Sequence, residues 1–184
     1  VRPRLFPIVR RIPHLEVGVT KFSTDFDIAP MSNMQAALGM ACLPSLGEIN
    51  KTRRRNAWNL SRRLREVESI NVLGERDWDY GIALRQPVLF DSEAAAENAY
   101  RELSELGLGV GGAYPSSLVD IPEAAAFLSE RAGVPFNARE VSRRLLTLPT
   151  HHFVTPRDLD AIAQVVTKYA RGAHRHVATM RRAS

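Results

Sequence analysis

The sequence predicts an α/β fold of the α+β kind: a long opening helix, then a small, mostly antiparallel sheet packed with helices. Three observations predict it. A capping signal at Ser32 opens an apolar stripe at helical spacing that persists to about residue 68. Four short strand-like runs follow, and helical patterns separate them. At 184 residues and 45% hydrophobic content the chain is long and apolar enough to bury one sizeable core.

Each element follows from local chemistry. Residues 1–30 are punctuated by Pro3, Pro7, Pro13 and Pro30, which predicts an irregular connecting segment. Ser32 with Gln35 makes a capping box, and Met34, Ala37, Leu38 and Ala41 line one face behind it. Pro44 should bend or end that helix. Leu46, Ile49, Ala57, Leu60 and Leu64 carry the stripe on, while Arg53–Arg55, Arg62, Arg63 and Arg65 form an opposite, solvated face. Ile70–Leu73 and Tyr80–Phe90 have strand character, with a turn from Gly74 to Asp79. Pro87 predicts an edge position or a bulge for the second strand. Asp91-Ser92 caps a helix with an apolar face of Ala96, Ala99, Tyr100, Leu103 and Leu106, which Gly107 stops. Leu108–Tyr114 is a glycine-rich strand or turn. Asp120 and Glu123 predict a capped short helix reaching Gly133, and Asn137 with Glu140 predicts another. Leu145–Leu148 is a short buried strand ended by Pro149. Thr155, Pro156 and Asp158 start a last helix with a core face of Leu159, Ile162, Val166 and Tyr169. The stretch 171–184 is basic and aperiodic, which predicts a mobile tail.

Composition narrows the function classes. No run approaches the ~20 apolar residues that span a membrane. One cysteine, Cys42, leaves no internal disulfide, fits a reducing cytoplasm and predicts a buried, inert thiol. The net charge is +5, and arginine far outnumbers the three lysines, Lys21, Lys51 and Lys168. The arginine excess keeps a basic nucleic-acid-binding protein as an alternative. No aromatic platform is interleaved with the arginines, however. His151-His152 points to opposite sides of an extended chain and has no Cys or carboxylate cluster beside it, which argues against a metal.

The run Met31-Ser32-Asn33-Met34-Gln35-Ala36-Ala37-Leu38-Gly39, followed by Arg53-Arg54-Arg55-Asn56-Ala57, resembles a signature of the DegT/StrS family of pyridoxal-phosphate-dependent sugar aminotransferases. Gly112-Ala113-Tyr114-Pro115 resembles the family's Tyr-Pro element. Leu146-Thr147-Leu148-Pro149-Thr150-His151 resembles its Leu-x-Leu-Pro-x-His element. The resemblance covers about Phe22 to Arg171, with the elements in the family's order. Two places depart from it. Phe26-Asp27-Ile28-Ala29-Pro30 replaces a segment that ends in Arg or Asn before the Met-Ser pair. Ser117-Leu118-Val119 stands where the family has a histidine. A proline has no N–H and no charge to offer a phosphate.

The resemblance implies the small C-terminal domain of a fold-type I transferase. Residues 1–30 would connect it to a preceding large domain, 31–170 would be the domain, and 171–184 the tail. The implied cofactor is pyridoxal 5'-phosphate, and the parent would be a cytoplasmic homodimer. It would move an amino group from an amino-acid donor to a nucleotide-linked keto-sugar, in polysaccharide or secondary-metabolite biosynthesis. The family's Schiff-base lysine has no match here. Lys21 lacks a small-residue turn and lies too close to the opening helix. The chain alone is therefore expected to be non-catalytic, and a non-catalytic dimerising homologue is the alternative. Asn33 and Gln35 are the candidates for touching cofactor at a helix start, with Gln35 also explained by the capping box alone. Tyr114 and His151 are the candidates for substrate contact, with packing at a strand end as the competing explanation for each.

Overall fold

The computed structural model describes residues 28–74, 81–112, 116–125 and 136–182. The opening helix is one bent rod. Helix α1 spans Asn33–Cys42, a single 3-10 turn spans Leu43–Ser45, and helix α2 spans Leu46–Leu64. The predicted capping box is present. Gln35 N–H donates to the Ser32 hydroxyl at 3.2 Å, and Ser32 N–H donates to the Gln35 carbonyl oxygen at 2.8 Å. Pro44 falls in the 3-10 turn, where its missing N–H costs least.

The two halves of the rod have different fates. Every residue from Ile28 to Glu48 is exposed, and α1 buries nothing. Cys42 is exposed with it, against the expectation of a buried thiol, because no element among the described residues covers α1. Helix α2 does enter the core, through Ala57, Leu60 and Leu64.

The sheet has four antiparallel strands: β1 (Ile70–Val72), β2 (Arg85–Phe90), β3 (Gly111–Gly112) and β4 (Leu145–Pro149), in the order β1-β2-β4-β3. Pro87 therefore lies in an interior strand, and its edge placement is overturned. Leu73 N–H donates to the Pro87 carbonyl at 3.1 Å. The return bond to the Leu73 carbonyl would need an N–H that Pro87 lacks. The side-chain amide of Gln86 supplies it, donating to Leu73 O at 2.8 Å. Gln86 is fully buried to do so, and its own Oε1 has no partner. An interior proline is tolerated because the neighbouring side chain makes the ladder bond.

Helix α3 (Glu93–Glu105) is capped by Ser92, whose hydroxyl accepts from Ala95 N–H. It ends in a Schellman motif: Leu108 N–H reaches Leu103 O, and Gly107 N–H reaches Ser104 O. Gly107 sits at φ +67°, where a side chain would be strained. Its buried face is Ala95, Ala96, Ala99 and Leu103. Tyr100 and Leu106 fall outside it and are exposed. A 3-10 turn at Leu118–Asp120 leads to the short helix α4 (Pro122–Ala125). The Asp120 carboxylate bonds Ser117 and Arg139, so it does not act as the expected cap. Helix α5 (Phe136–Arg144) already contains Asn137, which is thus inside the helix and not its cap, and runs directly into β4.

Helix α6 (Pro156–Arg182) opens on a reciprocal Thr155–Asp158 cap with Pro156 in its first turn. It continues helical to Arg182, through most of the 171–184 stretch that was expected to be a mobile tail. Leu159, Ile162, Val166 and Ala170 are buried, and Tyr169 packs partly on the core. One core joins these pieces. Val88, Phe90, Leu146 and Leu148 on the sheet meet Leu60, Leu64, Leu103, Ile162 and Val166 from the helices. Two surface clamps hold α6: Arg63 to Asp160 at 2.8 Å, and Glu102, which accepts from Lys168 at 2.6 Å and Tyr169 at 2.7 Å.

Candidate functional site

Among the described residues, side chains of α2, the start of β2 and the end of β4 come together at one junction. The stripe that buries Leu64 and Leu60 passes, one turn earlier, over Ala57 and Asn56, and one further turn back over Arg53. Asn56 is buried at 4% exposure. Its amide donates to the Thr150 carbonyl at 3.1 Å and the His151 carbonyl at 3.3 Å, pinning the chain as it leaves β4. Thr150 is fully buried, and its hydroxyl lies 2.7 Å from Ala83 O and 2.9 Å from Leu84 O. Arg53 donates to the same Leu84 carbonyl at 2.9 Å. That carbonyl is the node at which helix, strand entry and strand exit meet.

Arg85 follows Leu84 directly. Its guanidinium is half-buried and donates to the Thr147 hydroxyl, the Thr147 carbonyl and the Gly109 carbonyl, each at 2.7 Å. Burial, and then the nearby Arg53 charge, lower its pKa from the ordinary arginine value. His151 is half-buried, and its Nδ1 is shut away from solvent without a partner. Its pKa is lowered, first by burial and then by the positive charges of Arg53, His152 and Arg85, with Asp158 opposing. Among the described residues neither Arg53 nor Arg85 is paired with a carboxylate. The junction therefore holds two arginines bonded to neutral oxygens, beside a histidine whose charged form is disfavoured.

The expected site residues are distributed unevenly. His151 is in this cluster. Asn33 and Gln35 stand on the exposed α1, where Gln35 makes the capping box. The structure does not bring them to His151. Tyr114 and Lys21 lie outside the described residues. Arg53, read from sequence as part of a solvated face, is instead half-buried and bonded to β2's entry. Arg54, Arg55, Arg62 and Arg65 are exposed as expected. Arg85, Asn56 and Thr150 were not singled out from sequence. The signal for Asn56 and Arg53 was the helical stripe itself, since both fall on its continuation toward the N-terminus of α2.

Pyridoxal phosphate needs an amine that can lose its proton, and the described residues include two lysines, Lys51 and Lys168. Lys168 is bonded to Glu102, and that bond, with Tyr169 next, raises its pKa. Lys51 is exposed on α2, 4.0 Å from Glu48. Neither fits the group. Among the described residues no cluster of three or more His, Cys, Asp or Glu side chains can hold a metal. Among those residues, too, no helix is long and apolar enough to cross a membrane.

Comparison with known proteins agrees with this frame. A model of the DegT/DnrJ/EryC1/StrS aminotransferase family matches residues 28–167. No curated protein matches the chain. Three similar solved structures are DesI in the presence of its TDP-sugar product, Helicobacter pylori PseC, an aminotransferase involved in the biosynthesis of pseudoaminic acid, and E. coli GDP-4-keto-6-deoxy-D-mannose-3-dehydratase with bound hydrated PLP. DesI is 19% identical with a TM-score of 0.67, over 82% of this chain and 38% of its own. PseC is 15% identical with a TM-score of 0.63, over 84% and 43%. The dehydratase is 16% identical with a TM-score of 0.56, over 72% and 34%. The chain thus spans about two fifths of the length of these proteins or less, and identity at this level establishes the fold alone.

Proposed function

The chain belongs to the DegT/DnrJ/EryC1/StrS aminotransferase family, and from that membership we propose that it forms the small-domain part of a sugar aminotransferase. The family's cofactor is pyridoxal phosphate, which supplies an electron sink for amino-group transfer when bound. The reaction we assign moves an amino group from an amino-acid donor to a keto-sugar carried on a nucleotide. A homodimer is the assembly that goes with it. The observation that carries the reading is the family match over residues 28–167, the same residues that build the bent helix, the sheet and the helices on it.

The cofactor's amine is assigned to polypeptide other than the described residues, since neither Lys51 nor Lys168 fits it. What these residues contribute is binding. The sheet and α2 fix Arg53, Arg85 and His151 on a rigid frame, and rigid placement is what a substrate-positioning surface needs.

The test is a chimaera in which residues 28–167 replace the matching segment of a complete relative such as DesI. Amino transfer to a nucleotide-linked keto-sugar is the expected result. A chimaera that folds and keeps its cofactor, yet transfers no amino group to any keto-sugar nucleotide offered, would reject the reading.

A further inference from the structure

Helix α2 has two working faces. Ala57, Leu60 and Leu64 enter the core, and the Asn56 amide ties the helix to the chain leaving β4. The opposite side carries Lys51, Arg54, Arg55, Trp58 and Arg62, with Arg65 at the C-cap, and all six are exposed. At about 100° per residue they fall within about 60° of Trp58 around the helix axis, and at ~1.5 Å per residue the stripe runs about 21 Å. From Ile49 to Arg65 the helix sequence contains no Asp or Glu. Glu48 and Glu66 stand at the two ends of the stripe, 4.0 Å from Lys51 and 3.6 Å from Arg65. Trp58 overturns one expectation. No aromatic was expected among the arginines, yet the helix sets Arg54, Arg55 and Arg62 one turn from this indole. The Arg62 guanidinium carbon lies 4.6 Å from the ring centroid, a stacked cation–π pair, and the indole still keeps 48% of its surface exposed. Like charges at i,i+3 and i,i+4 spacing destabilise a helix. Stability therefore accounts for neither the single sign of this face nor the indole left in water at its centre.

We infer that the outer face of α2 is a binding surface for single-stranded nucleic acid, in which the basic side chains hold phosphates and Trp58 stacks on an unpaired base. The complementarity is double: a strand carries one negative charge per nucleotide, and every base offers a π face to an aromatic ring. A stripe of about 21 Å spans several nucleotides at the ~3.4 Å rise of a stacked strand. Other occupants match less of it. A duplex keeps its bases paired and stacked, away from the ring. A lipid surface meets only one apolar side chain to bury. A second copy of the face sets cations against cations. The surface is separate from the amino-transfer reading and does not depend on it.

The experiment uses the full 184-residue chain and a labelled oligothymidylate of about 12 nucleotides, within the usual site sizes for single strands. Binding is followed by fluorescence anisotropy as salt is raised from about 50 to about 200 mM. Affinity should fall with a log–log slope of about −3, or ~0.7 for each of four or five phosphates held. Arg54→Gln combined with Arg62→Gln should make that slope shallower by about 1.4. Trp58→Ala should weaken binding about tenfold, and Trp58→Phe, which keeps a ring, should recover most of the loss. Arg181→Gln combined with Arg182→Gln removes two charges from the end of α6 and should leave the slope unchanged. Absence of binding at about 50 mM salt overturns the surface, as does an equal effect of the α2 and α6 double variants. Trp58→Ala without effect, or a duplex bound as tightly as the single strand, overturns it too. Vesicles of phosphatidylserine and phosphatidylcholine that capture the chain through Trp58, while the oligonucleotide does not bind, would reject it in favour of a lipid surface.

Discussion

Asn56 sets a primary amide where α2 meets the chain leaving β4, and both of its bonds go to carbonyls that water does not reach easily. Asn56→Ala should cost about 1–3 kcal/mol, because it leaves buried acceptors unsatisfied. Chemical denaturation checks the figure. His151 makes a second prediction. Its pKa lies below the ordinary 6.5 in the folded state. Below that value the unfolded chain binds the proton more readily than the folded one. Stability should therefore rise with pH up through about 6.5 and level off above it, as far as this residue is concerned. His151→Gln should flatten that slope in denaturation curves collected across the window. At this scale the sequence was legible where a pattern repeats and obscure where a tertiary partner decides. His151 stood out beside Pro149. Arg85 did not, because its role comes from Thr147 and Gly109, which are 62 and 24 residues away.

At the scale of elements, the strand order decides what Pro87 means. The rule that a proline marks an edge failed because a neighbouring amide substitutes for the missing ladder donor. That substitution has a thermodynamic signature. Gln86→Leu should destabilise by about 1–3 kcal/mol in the natural background, since it strands the Leu73 carbonyl. In a Pro87→Val background the new backbone N–H can reach that carbonyl, and the same change should cost distinctly less. A double-mutant cycle measures the coupling, and strict additivity would mean that Gln86 is not the replacement donor. The caps of α1 and α6 were legible because a Ser or Thr with a polar partner three residues on is a local signal, and that of α3 because Ser92 is itself a good N-cap. Asn137 carried a similar pattern but lies inside α5. The strand order β1-β2-β4-β3 was not legible, because nothing local says which strand β2 will choose as its second neighbour.

Across the whole molecule, lysine chemistry gives the sharpest expectation. Mixed with pyridoxal phosphate and reduced with borohydride, the chain should show no single stoichiometric lysine adduct and no amino transfer from glutamate. Lys168 is held protonated by Glu102, and Lys51 is solvated. Peptide mapping checks this, and a unique adduct on Lys21 with turnover would make the chain an enzyme by itself. The exposed apolar side chains of α1, among them Met34 at 74% and Met40 at 68%, stand on more than one side of the helix, with Met31, Leu38 and Leu43 exposed beside them. Apolar surface left in water associates. Sedimentation should show concentration-dependent self-association, and Leu38→Glu should reduce it.

That same helix divides the chain into two regimes of time. Helix α1 is 10 residues long and buries no side chain against the described residues, and free helices of fewer than ~12–15 residues are marginal in water. Its amides are protected by the Ser32 cap and by continuity with α2, so they should open in a dilute sample without the rest of the molecule noticing. Amides of β2 and β4 can exchange only when the shared core comes apart. Hydrogen-exchange rates should therefore fall steeply across the 3-10 turn at Leu43–Ser45. A protease cut within α1 should leave the melting temperature of the remaining body where it was.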